Sequence, residues 1–343
     1  METKDSQYPC CPERRKMLGQ MFLGSVALAA TGTLGGPEEK ALAAHQADES
    51  NAEQPDGYAS ATRKNTNWAK LEDLKEKPAK GKIGKLKMSR ITLGGNLIGG
   101  WAHSRDLIYV SDLVKAYHTK EKIFATFKLA EACGITTFLT NPILCDIMSE
   151  YWDKADGAID FISDCGGDLS RLKDDTQRSI DVGAAACYVH GGLADHLASI
   201  GNFDPIAKTL EQIRDNGIPA GIGAHHLSTV QKCVDAGLRP DYWMKTLHHN
   251  NYWSARKDVE CDNIFCREPD ETIAYMNDRP EPWIAFKILA AGAIHPNDGF
   301  RYAFEAGADF ICVGMYDFQI VDDVNIAVDV LKSNLNRKRE WRG

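Results

Sequence analysis

The strongest constraint in this chain is a junction that recurs along it: an amphipathic helical stretch closes on a glycine, and an apolar run of strand length follows within a few residues. Gly134, Gly183, Gly217, Gly237 and Gly307 hold that place. A helix that must turn back sharply puts its first non-helical residue in the left-handed region, which glycine enters without steric cost. The strand-like runs are Arg90 to Leu93, Ile135 to Thr140, Ala158 to Ser163, Ala185 to His190, Pro219 to His225, Tyr242 to His248, Trp283 to Leu289 and Phe310 to Met315. Helical patterns lie between them. From 205 to 216, Asp204 is placed to cap, Pro205 suits the first turn, and Ile206, Leu210 and Ile213 form an apolar stripe away from Lys208, Glu211 and Arg214. Ile123, Phe127 and Ala130 repeat the pattern, as do Val324, Ala327, Val328 and Leu331. Eight alternating units without a second composition class predict a single-domain α/β fold, a closed (β/α)8 TIM barrel, rather than an open doubly wound sheet. The open sheet's nucleotide-binding turn is missing too, because Gly94-Gly95 and Gly99-Gly100 lack its spacing.

Such a barrel takes about 250 residues, which leaves an N-terminal extension in a chain of 343. Arg14-Arg15-Lys16-Met17-Leu18 leads into an uncharged, weakly apolar stretch from Met17 to Gly36, and Ala41-Leu42-Ala43 supplies small residues for a signal peptidase. Residues 1–43 therefore read as a twin-arginine-type signal peptide, with a Sec signal or an uncleaved anchor as the alternatives. The expectation is a periplasmic or secreted protein, with the twin-arginine export machinery as a partner and no stable membrane insertion after cleavage. Residues 44–85, rich in Lys, Glu, Asp, Asn and Ala, are expected to be a flexible linker, and 86–343 the barrel. A net charge of -8 and a pI near 5.7 argue against a nucleic-acid partner. The ten cysteines are dispersed, eight of them within the barrel, and are expected to be buried apolar groups rather than a disulfide scaffold.

Short motifs fall on the strands: Ser89-Arg90-Ile91-Thr92-Leu93-Gly94-Gly95 on the first, Gly134-Ile135-Thr136-Thr137-Phe138 on the second and Val189-His190-Gly191 on the fourth. Gly221-Ile222-Gly223, Leu289-Ala290-Ala291-Gly292 and Val313-Gly314 continue them on the fifth, seventh and eighth. From about Ser89 to Leu335 the chain resembles the aldo-keto reductase superfamily, as a divergent, exported branch. The resemblance implies the same barrel, and hydride transfer from NADPH to a carbonyl assisted by a Tyr, a Lys, an Asp and a His. Only the His is matched, by His190. Leu139 stands at the Asp position, Pro142 to Ile147 contains no Tyr, and Ser163, Asp164 and Cys165 fill the stretch where Lys belongs. After the last strand, Met315-Tyr316-Asp317-Phe318-Gln319 has no cation for the 2′-phosphate, so NADPH is not expected to bind.

Histidines take the place of the missing groups. His190, the pair His225-His226 and the pair His248-His249 end three consecutive strands, and alternation lets one member of each pair face inward. His190, His225 and His248 are the expected set, either as ligands of a divalent metal such as Zn or Mn or as metal-free polar catalysts. Lys245 and Lys287 lie within strands six and seven, and Lys287 is the better placed to act as base or nucleophile. Asp164, Asn141 and Asp317 end strands and are candidates for a polar site. Asp164 joins His190 and Lys287 as catalytic, while Asn141, Asp317, Trp101 and Trp253 are expected to hold substrate. Tyr252, Phe300 and Tyr316 are further aromatics placed around the mouth, and Cys145 reads as a helix-packing thiol rather than a nucleophile. Cys261 and Cys266 either pair after export or remain apart. The function expected is that of an exported barrel enzyme acting on a small polyhydroxylated or carbonyl substrate in carbohydrate metabolism, by metal-assisted lyase, isomerase or hydrolase chemistry. The alternatives are an oxidoreductase of the aldo-keto reductase type and a non-catalytic ligand-binding barrel.

Overall fold

A computed structural model describes residues 68–104, 107–252, 254–255 and 265–343. Strands β1 (Lys80–Ile83) and β2 (Leu86–Ser89) form an antiparallel hairpin. Eight parallel strands then close into a barrel: β3 (Ile91–Gly94), β4 (Thr137–Thr140), β5 (Asp160–Cys165), β6 (Ala186–Val189), β7 (Ala220–Ala224), β8 (Tyr242–Thr246), β9 (Trp283–Phe286) and β10 (Phe310–Val313), with β10 pairing back to β3. All eight fall where the apolar runs place them. The helices between are α1 (Val110–Tyr117), α2 (Lys120–Ala132), α3 (Cys145–Ala155), α4 (Leu172–Val182), α5 (Gly191–Ser199), α6 (Asp204–Asp215), α7 (Leu227–Asp235), α8 (Pro269–Asn277), α9 (Pro296–Glu305) and, after β10, α10 (Ile320–Lys332). The five glycines that close helices do so with φ between 75° and 106°. Ile206, Leu210 and Ile213 of α6 are buried as their spacing requires.

Strand alternation divides the core in two. Residues such as Phe138, Phe161, Val189, Ile222, Trp243 and Ile311 point outward and pack under the helices. Leu139, Ile162, Tyr188, Tyr242, Met244, Ile284 and Phe310 point inward and fill the lumen. Both faces are therefore apolar, which is why the strands read as continuous runs instead of alternating ones.

The end of the barrel away from the mouth is closed by the hairpin, whose Ile83, Leu86 and Met88 join the lumen cluster. Of the linker expected over 44–85, residues 44–67 lie outside the described residues, whereas 68–85 are ordered against the barrel and carry the first strand of this hairpin, so the expected boundary at 86 is too late. Ala69 donates its N–H to Asp322 Oδ2 (3.1 Å) and Lys75 donates its N–H to Asn325 Oδ1 (2.8 Å), strapping this segment to α10. Beside the hairpin, the buried carboxylate of Asp309 meets Arg339 at 2.6 Å and Arg337 at 3.3 Å. Arg90 and Arg337 both lie over the Trp341 ring, 3.9 and 3.8 Å from its centroid. Among the described residues no helix is long and apolar enough to cross a membrane. The expected signal peptide, residues 1–43, lies outside the described residues.

Candidate active site at the C-terminal ends of the strands

Inward parity carried one residue past the lumen core brings Asn141, Asp164, His190, His225, Phe286 and Cys312 to the mouth. All six are half-buried, whereas the inward residues beneath them are buried. The first four come from consecutive strands. Asn141 is locked in orientation: its Oδ1 accepts the Ile143 N–H at the start of the next turn (3.1 Å), which leaves its Nδ2 to donate to Asp164 Oδ1 at 2.9 Å. Burial, reinforced by the neighbouring Cys165, pushes the Asp164 carboxyl well above the ordinary carboxylate range despite the Asn141 hydrogen bond. In its neutral form, with Oδ1 already accepting from Asn141, this carboxyl would carry its proton on Oδ2.

His225 is braced from behind. Asp195, on α5, accepts the His225 Nδ1–H at 2.8 Å, the Thr229 hydroxyl at 2.7 Å and the His225 backbone N–H at 3.2 Å. Burial works against the Asp195 carboxylate, but the bonds from His225 and Thr229 outweigh it and hold the group below its ordinary value. With Nδ1 committed to Asp195, Nε2 is the basic nitrogen of His225. His190 stands beside it, the two rings 6.5 Å apart and inclined at 68°. Burial, and then the charges of His225 and Lys287, lower the His190 pKa, so this imidazole is neutral near pH 7.

The other expected site residues take different places. His248 is fully buried and does not join the pair: it donates from Nδ1 to the His249 carbonyl (2.8 Å), and its Nε2 accepts the N–H groups of Phe265 (2.9 Å) and Cys266 (3.0 Å). Both ring nitrogens are spent on backbone, so the trio His190, His225 and His248 does not fit a metal. Among the described residues no group of three His, Cys, Asp or Glu side chains is arranged to hold one. Lys245 points outward with Trp243, and its Nζ donates to the His225 carbonyl, the Thr246 carbonyl and the Thr246 hydroxyl at 2.8–2.9 Å, with burial lowering its pKa to about 8.

Lys287 follows β9 with a left-handed φ of 57°, a conformation that costs a non-glycine residue on the order of 1 kcal/mol. Its Nζ lies 3.7 Å from the centroid of the Phe265 ring and 3.4 Å from His103 Nε2, on the rim rather than the floor of the mouth. Asp317 is spent on tying Tyr117 Oη of α1 (2.5 Å) to Lys122 Nζ of α2 (2.9 Å). Trp101 folds over Gly99 in its own loop, and Phe300 is buried in the core. Cys145 is buried beside Ser179, its pKa raised by burial, as a packing thiol should be. Trp253 and Cys261 lie outside the described residues.

Two solved structures, each described as a "putative aldo-keto reductase" from Pseudomonas aeruginosa, are similar to this chain. One is 17% identical, with a TM-score of 0.54 over 76% of this chain and 98% of that one. The other is 16% identical, with a TM-score of 0.55 over 76% and 99%. The chain shares the TIM-barrel fold of both. At that identity the likeness is one of fold. No family model matches the sequence, and no curated protein is similar to it. The residue that sequence reasoning missed is Asp195. Its signal was an acid in the middle of Leu193, Ala194, Leu197 and Ala198, all of them buried on α5, where an unpaired carboxylate would not be tolerated.

Proposed function

We propose that this barrel is an exported, nicotinamide-independent acid–base enzyme acting on a small polyhydroxylated carbonyl substrate, as an isomerase or lyase. The observation that carries this reading is that the Asp195-braced imidazole of His225 shares one mouth with the Asp164 carboxyl, which accepts from Asn141 and is raised by burial well above the ordinary carboxylate range. A carboxyl raised above its ordinary range can act as the acid and an imidazole with a free Nε2 as the base, which is the pairing that acid–base catalysis needs. His225 Nε2 removes a proton from the carbon next to the carbonyl, and the electrons of that C–H bond form the enol C=C bond. The carbonyl oxygen takes the Asp164 Oδ2 proton. Asp195 stabilises the imidazolium that results, and the Asn141 amide stabilises the Asp164 carboxylate. Transfer of the imidazolium proton to the former carbonyl carbon, while the hydroxyl on the neighbouring carbon gives its proton to the Asp164 carboxylate and becomes the new carbonyl, gives the isomer. Departure of a β-hydroxyl as water, protonated by the imidazolium, while the enol O–H returns its proton to Asp164 and the carbonyl re-forms, gives the elimination product. Neutral His190 is placed to hydrogen-bond a substrate hydroxyl.

The test is exchange in D2O: the protein is incubated with a panel of aldoses, ketoses and 2-oxo acids, and deuterium entering the position next to the carbonyl is followed by NMR. Exchange that disappears in Asp164→Asn and His225→Ala supports the reading. A panel with no exchange, together with saturable NADPH binding at low micromolar concentration, would replace it with the oxidoreductase that the shared fold favours as a second reading. A protein that binds members of the panel without turning any over would be the non-catalytic barrel.

A further inference from the structure

Three glycines beside the imidazole pair are unexplained by backbone conformation. Gly191, Gly192 and Gly223 all lie outside the positive-φ region, so any L-residue could adopt their backbone. Gly191 and Gly192 open α5, although glycine is among the poorest helix formers. Neither local conformation nor propensity accounts for them, which leaves space. A Cβ on Gly223 would stand 2.7 Å from Gly191 N, 2.9 Å from Gly191 Cα and 2.9 Å from Val189 O, so β7 runs against the turn that follows β6 with no room for a side chain. A Cβ on Gly191 would stand 3.1 Å from His225 Cε1 and 3.2 Å from its Nδ1. A Cβ on Gly192 would stand 3.3 Å from His190 Cε1 and 3.4 Å from its Nδ1. Each imidazole therefore rests on the bare α-carbon of a glycine, and the two strands that carry them touch through a third.

We propose that Gly191, Gly192 and Gly223 are positioning residues that set the spacing and tilt of the His190 and His225 rings; the proposal rests on the acid–base reading of this mouth only for its catalytic consequence. A methyl group at 191 must push the His225 ring outward by a few tenths of an ångström. That strains the bond between its Nδ1–H and Asp195 and moves Nε2 relative to the substrate. Small displacements of this kind lower rates by about tenfold or more, because proton transfer depends steeply on alignment.

The experiment is Gly191→Ala in the full chain, read by melting temperature, by the low-field NMR signal of the His225 Nδ1–H bonded to Asp195, and by deuterium exchange. The expected result is a melting temperature equal to or above that of the unsubstituted protein, a shifted or lost Nδ1–H signal, and exchange reduced about tenfold or more. A folded variant with its imidazole signals unmoved overturns the proposal. A moved signal with undiminished exchange keeps the positioning role and sinks the catalytic reading, so the two failures are distinguishable. If Gly191→Ala does not fold, Gly192→Ala takes its place, since that position is exposed at the rim. It should move the His190 ring signals while leaving the His225–Asp195 signal in place, and unmoved His190 signals overturn the proposal.

Discussion

Replacing His248 by glutamine isolates one imidazole's share of this protein's sensitivity to acid. In the unfolded chain the ring takes up a proton near its ordinary pKa of 6.5, whereas in the folded protein burial, and the neighbouring charges of His249, Lys245 and Lys287, lower its pKa to about 4. Protonation would also put an N–H where Nε2 accepts two backbone donors. The sign follows from which state binds the proton first. Above pH 6.5 both states are neutral and the ring's contribution is fully present. As pH falls from 6.5 towards 4 only the unfolded state gains a proton, so stability is lost across that window and levels off below it. At about 1.4 kcal/mol for each pH unit the whole loss is about 3 kcal/mol, of which about 2 kcal/mol has gone by pH 5. Glutamine puts Oε1 where Nε2 was, keeping an acceptor for Phe265 and Cys266 without a titrating proton. Urea unfolding at pH 7.5 and pH 5 should show the unsubstituted protein losing about 2 kcal/mol more than His248→Gln between the two values. Equal losses would refute the anchoring role given to this ring.

Asp309→Ala should cost about 3–5 kcal/mol in a urea titration, because it strands the guanidiniums of Arg337 and Arg339, whose side chains are only 6% and 1% exposed; a loss under 1 kcal/mol would show that the pair is solvated. Asp195→Asn should reduce deuterium exchange by about a hundredfold or more while moving the melting temperature little, since the amide still accepts from Thr229 but no longer stabilises an imidazolium; unchanged exchange would remove the brace from the mechanism. Mass spectrometry of protein exported by a twin-arginine host should find Ala44 at the N-terminus and no export of the Arg14→Lys, Arg15→Lys double variant, and a mature chain retaining Arg14 counts against the signal.

The barrel was legible because each strand is buried on both faces and each turn back needs a left-handed residue, so apolar runs and glycines mark the same boundaries twice. The hairpin was not. Its lysines at 80, 82, 85 and 87 resemble a solvated linker, although Ile83, Leu86 and Met88 carry the alternation of a strand pair with one buried face. Parity alone was enough to choose His225 over His226 as the inward ring. It was not enough for His248, whose Nδ1 is spent on the His249 carbonyl and whose Nε2 accepts the backbone N–H groups of 265 and 266, and the path that brings those two residues to it is not written in the local pattern. Asp317 failed for a related reason: position after a strand says nothing about whether Tyr117 and Lys122 will reach the carboxylate first.

The seam between β10 and β3 has a consequence for how the chain comes to be folded. Ile311 pairs with Ile91, and the residues that join across the barrel's base, Arg90 with Asp309 and the Gly343 carbonyl, are separated by almost the whole described sequence. During synthesis β3 is therefore an open edge until the last strand emerges from the ribosome, and every intermediate with seven strands or fewer presents two unpaired ladders of backbone donors and acceptors. Closure is a single late event of high contact order, and nascent or truncated chains halted before it are the forms that should aggregate. If export requires a folded passenger, the joining of this seam is the step that decides when a newly made molecule is ready to leave.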